Sequence, residues 1–203
     1  MKRAHYISGL TITLFVIFHI INHLFSVFGA DQHIAFMNKI RWIYRQPIFE
    51  AILLISVAMQ IITGLNLFRS KFKAAQNRFE KLQVWSGLYL AIFFLIHVSA
   101  VLTGRYILEL DTNFYFGVAG LNTFPLNLFF MPYYSLAVMA LFGHIAAIHY
   151  SKMTSEIFGL SVKNQTWIII LTGIIVSIII LFGSTNGFKG IEVPPEYHMV
   201  SGK

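Results

Sequence analysis

Cysteine is absent from the 203 residues, which excludes structural disulfides, thiolate metal sites, protein-ligated iron–sulfur clusters and covalent c-type haem attachment. Any metal must be held by nitrogen or oxygen. Charge is nearly as scarce, with 11% of residues charged against roughly 25% in an ordinary soluble domain. The 57% of hydrophobic residues fall into five blocks of membrane-crossing length, which no single soluble core explains. The net charge of +7 comes from basic residues in short loops between apolar spans. They form no stripe along a soluble face, so nucleic acid is not the expected partner; the lipid bilayer is.

The expected architecture is all-α: one integral membrane domain over residues 1–183, with spans near 7–28, 48–68, 84–102, 133–150 and 166–183, then a polar tail over 184–203. Met1-Lys2-Arg3 has the charge of a secretory signal, but the apolar run after it is too long and contains histidines, so it is expected to persist as the first helix. Alternating spans place Lys2, Arg3, Arg69, Lys71, Lys73, Arg78, Lys81, Lys152 and Lys163 on one side and Lys39, Arg41, Arg45, Arg105, Lys189 and Lys203 on the other. The excess puts the N-terminus in the cytoplasm and the C-terminus outside an inner or cytoplasmic membrane. Residues 103–132, rich in Phe, Tyr, Leu, Gly and Asn, are expected to lie at the interface or fold back over the outer end of the bundle, as an ordinary loop or as a lid.

Of eight histidines, His33 and His198 fall in expected loops, and His5 and His149 sit near helix ends where a ring reaches water. His19, His23, His97 and His144 lie within spans, where an ionisable group is costly and marks a functional site by default. Any one alone serves equally well in an interhelical hydrogen bond. Two of them share a register: Ser8-Gly9-Leu10 is followed by His19 ten residues after the glycine, and Ser86-Gly87-Leu88 by His97 at the same distance. If the two Ser-Gly-Leu turns are level, both rings lie about 15 Å further along their helices, placed to take the two axial positions of a haem iron. Gly9 and Gly87 would make room for the flat macrocycle. His23, one turn beyond His19 on the same face, is an alternative ligand or a hydrogen-bond partner. Arg41 and Arg45 either neutralise propionates or are solvated loop charges. His144, in the inner half of the fourth span, is expected to face Gln60, a poor axial ligand. A second six-coordinate haem is therefore not expected, and a degenerate site in which His144 hydrogen-bonds Gln60 is preferred over a haem with His144 as its one strong ligand.

These residues, with Trp85-Ser86-Gly87 leading to His97 and Gln60-Ile-Ile-Thr-Gly64-Leu65 on the second span, resemble the cytochrome b membrane anchor of succinate dehydrogenase and fumarate reductase (complex II), in its single-chain, five-helix form. The resemblance covers about residues 6–150. It implies four spans forming a haem-binding bundle, with His19 and His97 ligating the haem far from the soluble subunits and His144 belonging to the nearer haem. There the family has histidine where this chain has Gln60. It further implies haem b, quinone as substrate, and flavoprotein and iron–sulfur subunits as partners. The chain would then be an electron-transfer subunit and not a catalyst on its own, with Glu50 either a relay for quinone protons or simply favourable at a helix start. The alternative is an orphan haem-binding or structural membrane protein of the same fold, outside any dehydrogenase.

Overall fold

The computed structural model describes residues 1–201; Lys203, counted above for topology, lies outside them. The described residues form helices and turns with no named strand. Five helices are long and apolar enough to cross a membrane, with mean hydropathies of 1.5 to 2.6. They are α1 (Lys2–Leu24, prolonged by a 3-10 turn Phe25–Phe28), α3 (Pro47–Lys71), α4 (Arg78–Tyr106), α6 (Asn127–Lys152) and α7 (Val162–Ser184). Between them lie α2 (Ala30–Tyr44) and α5 (Phe114–Val118), and α8 (His198–Ser201) ends the described chain. This is an all-α membrane bundle.

Local chemistry sets the ends. Pro47 opens α3 at a position where a backbone donor is not needed. Asn77 and Glu80 cap α4 reciprocally, the Asn77 Oδ1 accepting from Phe79 and Glu80 N–H while the Glu80 carboxylate accepts from Asn77 N–H. Gly29, at φ 102, turns the chain from the end of α1 into α2 in a conformation that residues with a Cβ rarely adopt. The fourth span starts earlier than its hydropathy suggests, because α6 runs through Pro132; a single missing donor is tolerated in a membrane helix.

The spans close into a ring: α1 packs on α3, α3 on α4, α4 on α6, α6 on α7, and α7 returns to α1. Glycines permit two of the close approaches between spans. A Cβ on Gly173 would run into Phe142, and one on Gly183 would meet Ser26 and lie 2.6 Å from the Val27 nitrogen.

One end of this ring is capped. Residues 107–126 fold over it, with Phe114, Val118 and Leu121 buried, the second of the two placements considered for residues 103–132. Two expectations at this end are corrected. The first outer loop contains α2, whose buried His33 and Met37 stand one turn apart. The tail is no free polar extension: Val193 and Tyr197 are buried with Ala119, Tyr197 Oη donates to Asp111 O at 3.0 Å, and Asn122 bonds both Ser184 O and Ile191 N–H. The buried aromatic Tyr197 supplies the apolar surface that holds it down.

Candidate functional site

A file of imidazoles runs from the bundle interior to the cap. His97 on α4 and His19 on α1 have ring centres 6.1 Å apart. His19 Nε2 and His23 Nε2 are hydrogen-bonded at 3.2 Å, in a direction set by the tautomers. The His23 ring lies 5.4 Å from His33, and His33 sits beneath Phe114. The packed neighbours of α1 among the spans are α3 and α7, and those of α4 are α3 and α6. His19 and His97 therefore meet across the interior of the ring.

Each of the two rings is backed by a phenylalanine one turn earlier: Phe15 stacks on His19 at 5.4 Å and 22°, and Phe93 on His97 at 5.0 Å and 12°. Tyr134 meets His97 edge-on. Such contacts fix ring orientation. Both phenylalanines stand six residues after their Ser-Gly glycine, so the matched register extends further than the histidines and would have revealed them.

His19 is the ring that faces His97, whereas His23 lies one turn outward and pairs with His33. Sequence reasoning left His33 in a loop, but it is only 3% exposed, with Nε2 3.1 Å from the Asn22 amide nitrogen. Burial first, then the nearby His19 and Arg41, push its pKa down to about 4. The missed signal is the one-turn row His33, Met37 and Arg41 in α2.

Arg41 and Arg45 are engaged by the cap. Arg41 pairs with Asp111 at 2.7 Å and donates to Thr112 O, and Arg45 donates to Thr112 Oγ1 at 2.9 Å. Glu50, at the start of α3, is ion-paired with Arg105 at the end of α4.

Gln60 and His144 spend their hydrogen bonds on different partners. Gln60 Nε2 donates to His5 O at 2.7 Å, beside a His5 Nδ1 contact to Thr63 Oγ1 at 2.9 Å. His144 Nδ1 lies 3.0 Å from Gln83 O and 3.1 Å from Ser86 Oγ. The two glycines expected to accommodate a macrocycle are used here by these residues. A Cβ on Gly9 would stand 2.6 Å from Gln60 Nε2, and one on Gly87 would stand 3.1 Å from His144 Cε1.

Among the described residues no three His, Asp or Glu side chains gather to hold a bare metal ion. His19 and His97, with ring centres 6.1 Å apart at 66°, are imidazole donors of the kind that could hold a haem iron, and His19 Nε2 is engaged by His23.

Fold and site together define an all-α membrane bundle with a histidine pair across its interior. No protein-family model, characterised protein or solved structure matches the chain.

Proposed function

We propose that the chain is a membrane-anchor b-type cytochrome, carrying electrons between a water-soluble dehydrogenase, similar to succinate dehydrogenase or fumarate reductase, and membrane quinone. The single observation that carries this reading is the pair of phenylalanine-backed imidazoles whose ring centres stand 6.1 Å apart across the bundle interior. A haem bound there supplies one-electron chemistry. His19 and His97 are the residues that would hold it. Phe15 and Phe93 keep the imidazoles from rotating, so little order has to be created on binding. The cap separates this end of the bundle from water, and lowered polarity around an iron centre is one lever on its potential. In this reading the uncapped end faces the cytoplasm, in accord with its basic loops.

The purified protein is expected to contain one noncovalent haem per chain, with a low-spin reduced-minus-oxidised spectrum. His19→Ala and His97→Ala should each abolish that spectrum, while His23→Ala retains it with a shifted potential. Wild-type spectra from both ligand variants would sink the assignment.

A second reading, the same haem protein without a dehydrogenase, is favoured by Gln60, which interrupts the two-haem path implied by the resemblance. Stoichiometric copurification with a flavoprotein separates the two readings.

A further inference from the structure

The charge of the molecule is divided unevenly between its ends. Among the described residues the capped end carries five basic and six acidic residues, whereas the other end carries nine basic residues against Glu80 and Glu156. All nine cations are exposed, and both ion pairs among the described residues lie at the capped end. The whole net charge therefore sits on one face, unneutralised within the chain.

An apolar projection stands on that face. Between α6 and α7 the chain turns at Ile157-Phe158-Gly159-Leu160, closed by Leu160 N–H to Ile157 O at 2.9 Å and Ile157 N–H to Leu160 O at 3.3 Å. Phe158 and Gly159 both have positive φ, 51° and 72°, as in a type I′ turn whose first central position normally falls to Asn, Asp or Gly. Phe158 is 99% exposed, flanked by exposed Ile157 and Leu160. The turn is built in. The buried Gln165 side chain donates from Nε2 to Leu160 O at 2.8 Å and Ser155 O at 3.2 Å, while its Oε1 lies 2.8 Å from His149 Nε2. This clamp leaves the loop little freedom.

We infer that this basic face is the docking surface for an acidic, water-soluble protein subunit, with Phe158 as the anchor that enters an apolar socket on it. Charge complementarity selects the sign of the partner. The fixed turn selects a protein over a lipid surface. A bilayer has no shape to match and would accept a phenylalanine from any loop conformation, whereas a preorganised aromatic on a charged face is how a protein interface concentrates its affinity. The inference rests on the proposed function only in taking the partner for a soluble subunit; its test does not depend on haem.

p-Benzoylphenylalanine placed at position 158 and irradiated in native membranes is expected to form an adduct with one acidic, water-soluble polypeptide. That polypeptide should accompany the wild-type chain one to one at low salt and leave in about 0.5 M salt, where surface charges are screened. Titrated back onto the chain, it should bind Phe158→Asp roughly 30-fold or more weakly, the loss typical of a central anchor, and Phe158→Leu nearly as well as wild type. An adduct to phospholipid or to a second copy of this chain would overturn the inference, as would no adduct at all, or equal binding by Phe158→Asp. Haem content measured on the same samples tells failure of docking from failure of the cytochrome reading, because Phe158 lies far from His19 and His97.

Discussion

His33 shows how far a single residue's chemistry follows from its surroundings. Its folded pKa of about 4 lies below the unfolded value of about 6.5, so the unfolded chain binds more protons across that interval. Stability is therefore complete above pH 6.5 and falls as pH drops toward 4, by a total on the order of 3 kcal/mol. The thermal midpoint of the detergent-solubilised protein should decline over this window, and His33→Gln should flatten the decline. An unchanged profile in the variant would mean that other groups carry the effect. His33 Nδ1 and Asn22 Oδ1 are both buried without a partner, which adds to the penalty of this corner and makes it the part of the cap expected to open first.

At the scale of helices, the glycines decide what can approach what. Gly183 is where α7 closes the ring onto the end of α1, and an added methyl meets backbone as well as the Ser26 side chain. Because backbone cannot rotate away, Gly183→Ala is expected to destabilise the bundle by about 1–3 kcal/mol, read as a lower thermal midpoint in detergent. Gly64→Ala is the control, since its Cβ would stand 3.9 Å from its nearest neighbours. At the opposite pair, Gln60→His is expected to leave haem at one per chain. The clefts over Gly9 and Gly87 are filled by Gln60 and His144, and tightly packed interiors hold no macrocycle-sized gap in reserve. Two haems per chain in this variant would show that the α1–α3 and α4–α6 contacts part more easily than their packing suggests.

Across the whole molecule, a basic uncapped end is set against a neutral, capped one. A reporter active only outside the cytoplasm, fused after Lys203, is expected to be active, because the positive-inside rule predicts a cytoplasmic location for the end with the excess of basic residues. Activity of a cytoplasmic reporter at the same position would invert the orientation and place the His19–His97 pair in the inner half of the membrane.

The sequence by itself determined the five spans, since apolar blocks of that length have no other stable solvent. It also determined the level register of His19 and His97, because the rise per residue of a helix converts equal spacing into equal depth. Phe15 and Phe93 were legible in the same register. Only the tertiary structure decided that His19, and not His23, faces His97, since two residues one turn apart share a face and differ only in what stands opposite. It alone gave Gln60 and His144 separate partners, drew Arg41 and Arg45 into the cap and buried His33 with the tail. Apart from the one-turn row of His33, Met37 and Arg41, these leave no periodic trace, because each joins side chains from segments whose meeting depends on how the spans close into a ring.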